Sequence, residues 1–222
     1  MKKTMIFMAI ALVLLGCEKN EPKETLQITT KNIVITHNGT EQLKVTGADA
    51  PVVYTVDNKY IASVSEDGVV KGGVKGKAII TATCGTQTAT CDVEVKTLIN
   101  FIPEPYIGFG DSYDKVKSEL VKSGEVKELN GSIAQVKKIS GDEFIYLYTF
   151  NSGKLEVSGF SILITADAVN VIVDYLTERY VVVSRVSTYE FALMSPDKKT
   201  AVALGLSSDK QRMNVIFTKF NN

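Results

Sequence analysis

The chain changes hydrophobic rhythm four times. Residues 5–15 are an unbroken apolar run behind the basic pair Lys2 and Lys3. Residues 18–25, Glu-Lys-Asn-Glu-Pro-Lys-Glu-Thr, carry no apolar period and cannot build a core. From Leu26 to about Lys96 short β-branched runs are broken by turn signals. Ile33, Val34 and Ile35 lead to His37-Asn38-Gly39; Leu43 and Val45 alternate with polar neighbours; 52–56 stops at Asp57-Asn58; 61–65 stops at Glu66-Asp67-Gly68; Val69 and Val70 lead to Gly72-Gly73; 78–83 and 89–95 finish the run. Seven or so short strands in this length predict a small sandwich.

The period lengthens after residue 110. Asp111 or Ser112 stands as N-cap before Tyr113, Val116, Leu120 and Val121, the spacing of one helix face, and Gly124 ends the helix. Strands are predicted at 133–139, 144–150 and 155–164. A second helix begins near Thr165, with Val169, Ile172, Val173 and Leu176 on its buried face. Strands follow at 181–186 running into 189–194, then 200–206 and 213–220. The halves superpose at a constant offset of about 56 residues: Val116 meets Ile172, Tyr148 meets Leu204, Phe160 meets Ile216. The expectation is a tandem α-β-β-β repeat, 111–166 and 167–222, making one antiparallel sheet with both helices on one face. Between the two parts, residues 98–110 form a linker with Pro103 and Pro105, stiffened toward polyproline geometry. Phe101, Tyr106, Ile107 and Phe109 are too apolar for a free linker, so part of it is expected to pack.

The order of basic pair, apolar run, small residue and cysteine is that of an export signal, and the run is too short to span a bilayer. Leu14-Leu15-Gly16-Cys17 resembles the lipobox of bacterial lipoproteins. The resemblance implies removal of residues 1–16, lipid on Cys17 and a tether over 17–25. A second resemblance rests on Tyr54-Thr55-Val56-Asp57-Asn58, Ile61-Ala62-Ser63-Val64, Asp67-Gly68-Val69-Val70 and Gly76-Lys77-Ala78-Ile79-Ile80-Thr81-Ala82. In that order they are similar to the bacterial immunoglobulin-like domain of group 2, with Tyr54 where the family often has Trp. It implies an Ig-like domain over 26–97, a spacer or adhesion-type module without catalytic residues. The pattern of the last part, 111–222, is similar in architecture to the β-lactamase-inhibitor protein, and no sequence motif carries that activity across. The expected fold is an all-β immunoglobulin-like sandwich followed by an α+β domain.

Composition narrows the function. Basic and acidic residues balance at 25 each, and loss of Lys2 and Lys3 leaves a slight acidic excess. No basic stripe exists for nucleic acid, and no Lys/Arg cluster for anionic lipid. Cys84 and Cys91 remain as an even pair, and export permits a disulfide between them. A four-residue loop at 86–89 would set them opposite; a two-residue turn at Thr86-Gln87 would pair Cys84 with Ala89 and forbid it.

Catalytic candidates are few. His37 is the one His and sits at a strand end, where a turn role outweighs a Ser-His-Asp one. One His and two Cys without CxxC spacing make no zinc site. Asp142-Glu143 reads as a hairpin turn, and Asp111 with Asp114 as a helix first turn favoured by the dipole. Turn chemistry accounts for Asp57-Asn58 and Glu66-Asp67-Gly68 without calcium. Gly72-Gly73-Val74-Lys75-Gly76 lacks the helix that a phosphate loop needs. No enzyme, cofactor or metal is expected.

Two faces of the last domain remain. Phe144, Tyr146, Tyr148 and Phe150 share one side of a strand. They suit either a sugar or protein platform or a core under the helices, and their repeat partners Thr200, Val202, Leu204 and Leu206 favour the core. The opposite parity gives Ile145, Leu147, Ala201, Ala203 and Gly205, with Val157 or Met213 if the strands keep step. Small and apolar residues on an open sheet face mark a partner surface, unless the linker or the first domain covers them. The sequence thus points to a lipid-anchored cell-envelope protein of the outer membrane, with a non-catalytic interaction module and a protein partner. A structural scaffold is the alternative; a glycan binder or an enzyme with a cryptic site is disfavoured.

Overall fold

The computed structural model describes residues 24–220. The leader and Cys17 lie outside the described residues. The first domain contains β1 (Gln27–Ile28), β2 (Asn32–Thr36), β3 (Thr40–Gln42), β4 (Val45–Thr46), β5 (Val53–Val56), β6 (Ala62–Val64), β7 (Val69–Gly72), β8 (Gly76–Cys84) and β9 (Gln87–Lys96). One sheet has the order β2-β9-β8-β5 and the other β3-β7-β6, with β1 and β4 paired beside them. Alternation dictates the packing: Ile33 and Ile35, Ala78, Ile80 and Ala82, and Cys91, Val93 and Val95 all turn inward. Period 2 along a strand puts every second side chain on one face, and the two apolar faces close on each other. Asn38 takes the positive φ that the His37-Asn38-Gly39 turn requires. Gly73 is demanded by space, because a Cβ there would sit 2.1 Å from the Tyr60 carbonyl.

The disulfide expectation fails here. β8 and β9 join through a two-residue turn at Gly85-Thr86, which pairs Cys84 with Gln87 and Cys91 with Ile80. Gly85 has φ +58°, the conformation such a tight turn needs. The cysteines share the buried face, but four residues of strand, about 13 Å, separate them, beyond any disulfide. Both are free thiols.

The second domain contains α1 (Tyr113–Leu120) with a 3-10 turn (Val121–Ser123), β10 (Lys127–Leu129), β11 (Ser132–Ile139), β12 (Asp142–Asn151), β13 (Lys154–Leu163), α2 (Ala166–Thr177), β14 (Val181–Arg185), β15 (Phe191–Met194), β16 (Thr200–Leu206) and β17 (Arg212–Lys219). Ser112 and Thr165 cap the helices, accepting from the Lys115 and Ala168 amides. All eight strands form one antiparallel sheet of order β10-β11-β12-β13-β17-β16-β15-β14. Each unit is thus a helix and a four-strand meander, and the last strands of the two units meet at the centre.

Three expectations change. Each unit has four strands, not three. β10 is exposed throughout and shows no alternation. β14 and β15, read as one run, are separated by a reversal in which the Val186 amide donates to the Glu190 carbonyl. The constant offset also breaks. Phe160 is buried while Ile216 is exposed, and Met213, Val215 and Phe217 are the inward residues of β17. A bulge at Thr149/Phe150 in the first unit and a longer turn after β16 in the second shift the correspondence by one residue, and one residue flips the face. For the same reason Met213 lies under the helices and Val157 on the other side. Val121, assigned to the helix face, is 50% exposed, because the chain tightens into the 3-10 turn there.

Phe144, Tyr146, Tyr148, Phe160, Phe217 and Val202 pack with Val116, Leu120, Val169, Ile172, Tyr175 and Leu176 in one core. Phe160 sits among four rings, with centroids 5.6 Å from Phe144 and Tyr146, 6.0 Å from Tyr175 and 6.3 Å from Phe217. The aromatic strand face is therefore core, covered by both helices.

Candidate functional site: the open face of the eight-stranded sheet

What the helices leave uncovered is the other side of the sheet. Strand register builds it row by row. The central row runs Ala134, Leu147, Gly159, Ile216, Ala203, Ala192 across β11, β12, β13, β17, β16 and β15. The row away from the first domain holds Val136, Ile145, Ser161, Asn214 and Gly205; the row nearer to it holds Ser132, Thr149, Val157, Thr218, Ala201 and Met194. All five residues assigned to this face from the sequence, Ile145, Leu147, Ala201, Ala203 and Gly205, are on it. Leu147 is 43% exposed and Ile216 44%. Ile216 is a member that the 56-residue offset had assigned to the wrong side.

The three rows contain no charged residue. Charged residues border these rows instead: Lys127 of β10 continues the central row beside Ala134, Lys154 lies at the end nearer the first domain, and Lys138, Glu143 and Arg212 lie at the remote end. There Arg212 folds onto Ser161, donating from Nε to its Oγ at 2.9 Å and from Nη2 to its carbonyl at 3.1 Å. Side-chain volume is unevenly distributed: Val136, Ile145 and Leu147 crowd the β11–β12 half, and Ala192, Ala201, Ala203 and Gly205 floor the β15–β16 half. Gly159 has a local reason, since a Cβ would lie 2.4 Å from the Val215 carbonyl. Gly205 has none, since a Cβ there would meet nothing within 4 Å.

The linker does not cover this face. It crosses the helix side, where Ile102 is buried in the core. The Tyr146 hydroxyl donates to the Pro103 carbonyl at 2.8 Å, and the Tyr106 amide donates to the Tyr148 hydroxyl at 3.4 Å. Burial pushes the Tyr148 phenol up to about 12. Tyr106 also rises to about 12, chiefly through its hydrogen bond to Asp111. Asp111 is lowered, first by Lys115 and then by Tyr106; the residue is committed to the helix start rather than to acid–base work.

The first domain reaches only a corner. Val181 packs on its core, Asn58 donates to the Pro196 carbonyl at 3.4 Å, and the Lys75 amide to the Glu178 carbonyl at 2.7 Å. Nothing in the sequence singled out the polar clamp behind this joint. Glu178 is 3% exposed and Arg179 6%. The Glu178 carboxylate accepts from the Leu98 and Ile99 amides, each at 3.0 Å. Arg179 donates to Glu104 at 2.9 Å, to the Tyr175 carbonyl at 3.1 Å and to the Ile99 carbonyl at 2.5 Å. Its guanidinium lies 4.1 Å from the Tyr175 ring centroid, and Lys75 adds a second cation at Glu104, 3.1 Å away. Buried charges persist only when each is paired, and this set is fully paired.

The other candidates have local duties. His37 Nδ1 donates to the Gly73 carbonyl at 2.7 Å, which ties the turn after β2 to the chain beyond β7. Among the described residues no three His, Cys, Asp or Glu side chains gather to hold a metal ion.

Comparison with known families turns on the alternating strands of the first domain. Residues 24–95 match the bacterial Ig-like domain, group 2. The sandwich described above is the body of that match, and the second domain lies outside it. No curated protein sequence matches the chain. Among solved structures, the intimin–Tir90 complex overlaps at 21% identity and TM-score 0.30, over 45% of this chain and 58% of that chain. An EHEC O157:H7 intimin mutant overlaps at 20% and 0.28, over 55% and 81%. Domains 5–6 of the S-layer protein SbsC overlap at 14% and 0.27, over 89% and 84%. This chain thus spans under two thirds of the first of these, and at such scores an overlap fixes neither shared architecture nor shared activity.

Proposed function

We propose that the chain is a lipid-anchored protein of the cell envelope, at the outer membrane, that works as a non-catalytic interaction module. Lipid on Cys17 and the tether fix it to the membrane. The Ig-like domain acts as a spacer, and the second domain presents its open sheet face to a protein partner. The observation that carries this reading is the uncharged six-strand face around Leu147, Ile216 and Ala203, left bare while the linker packs on the opposite side. Folding requires no apolar residue on a solvated sheet face, because antiparallel sheets tolerate one wet side, so a bare apolar patch points to docking.

A photo-cross-linking side chain placed at Leu147 in the native envelope tests the reading. The expected result is a discrete cross-linked protein product from position 147 and none from Val121, which is equally exposed but lies on α1's end. Equal, diffuse labelling from both positions would overturn it.

A further inference from the structure

We infer that the occupant of the open face is a second copy of this chain, docked face to face about a two-fold axis parallel to the strands. The inference rests on the reading of that face as the docking surface, and adds which partner it takes.

Side-chain volume selects the partner. With the axis along the boundary between β13 and β17, the bulky half of one copy turns over the small half of the other. Leu147 then meets Ala203 of the second copy, Ile145 meets its Gly205, and Ile216 meets its Gly159. Facing sheets pack when large and small positions oppose each other, and one rotation supplies that at all three places, twice over. An axis perpendicular to the strands does the reverse: it sets Leu147 against Leu147 and Ala203 against Ala203, crowding one half and leaving the other hollow.

Gly205 is the independent sign. A glycine within a strand weakens it and often marks close approach by another group. Among the described residues nothing occupies the space a Cβ would take at 205, so their packing does not explain the residue. The Ile145 side chain of a second copy does.

Charge and direction agree. Identical faces bring identical charges together, a costly arrangement, and the three rows carry none. The first domain meets the second at the strand end marked by Val181 and Pro196. An axis parallel to the strands leaves both first domains at that same end, so both tethers enter one membrane. The perpendicular axis would send them to opposite ends.

The area is sufficient but small. Six strands about 4.8 Å apart and three rows about 6.8 Å apart give about 500–600 Å² per copy, the low end for a specific interface. Confinement to a membrane raises effective concentration, which offsets a modest interface.

The test uses the full-length protein in its own membranes. Leu147→Cys and Ala203→Cys are made in separate, differently tagged copies and treated with a short bismaleimide. Within one copy these positions are three strands, about 14 Å, apart. The expected result is a cross-linked product of twice the mass when both versions are present, and none when either is alone. Gly205→Val is expected to abolish the product while leaving the melting temperature unchanged or higher. Self-cross-linking of Leu147→Cys alone would overturn the axis, and no product at all would overturn self-association. If the photo-cross-linker at 147 still captures a different protein, docking stands and only its partner was misassigned. A large fall in melting temperature on Leu147→Lys would instead sink the docking reading itself.

Discussion

Leu147 and Ala203 occupy one row of the open sheet face, three strands apart, with Gly159 and Ile216 between them. Both point away from the helices, and neither contributes to the core.

That position predicts a contrast along a single strand. Leu147→Lys is expected to change stability by no more than about 0.5 kcal/mol, the usual range for exposed sites. Phe144→Ala, three residues back on the covered face, removes a ring packed on Phe160 and is expected to cost about 3–5 kcal/mol. Urea unfolding of both variants checks the pair; similar losses would mean that the face is buried.

The cysteines are expected to be thiols in protein taken from the envelope. Both are buried, and burial, with Asp92 beside it, raises the Cys91 pKa, so alkylation should be slow in the native protein and complete in denaturant. Mass spectrometry after alkylation without reductant should show both modified. An unalkylated pair two mass units light would contradict the hairpin register.

Arg179 is expected to be the residue on which the joint between domains depends. Arg179→Ala leaves Glu104 and the buried Glu178 carboxylate short of a cation, and uncompensated buried charge costs about 3–5 kcal/mol. The loss should appear as lower thermal stability together with faster proteolysis within 98–105. Wild-type protection of that segment in the variant would show that the linker is held by Ile102 and the tyrosines alone.

The tyrosines give a pH prediction with a definite sign. Tyr106 and Tyr148 have folded-state pKa values raised from 10.0 to about 12. A raised value favours the neutral form in the fold, so their contribution is complete below pH 10 and is lost as pH climbs toward 12. Alkaline titration by ultraviolet absorbance should show these phenols ionising late, in step with unfolding. Full ionisation of every tyrosine near pH 10 in folded protein would refute it.

Lipidation is expected at Cys17. Cys17→Ser should abolish incorporation of a fatty-acid probe and release the protein from the membrane fraction. Undiminished label in the variant would remove the anchor from the proposal.

Legible in the sequence were seven of the first domain's nine strands, all but β1 and β3, together with the turn at Asn38, the Thr165 cap, a cap at Asp111 or Ser112, and which residues of β12 share a side. These are local quantities: a period, a cap or a turn is written within a few residues. It therefore separated Phe144, Tyr146 and Tyr148 from Ile145 and Leu147 correctly. Tertiary structure decided the rest. Whether Cys84 faces Cys91 depended on one turn, and Gly85 placed it a residue earlier than either alternative. Whether Ile216 matched Phe160 depended on a bulge at Thr149/Phe150 that no periodicity reveals, because a single inserted residue reverses every side chain after it. The meeting of β13 with β17 joins segments far apart in the chain, and it is what lines Leu147, Gly159, Ile216 and Ala203 into one row. The clamp of Glu104, Glu178 and Arg179 was equally hidden, since its charges become partners only when the linker crosses the end of α2.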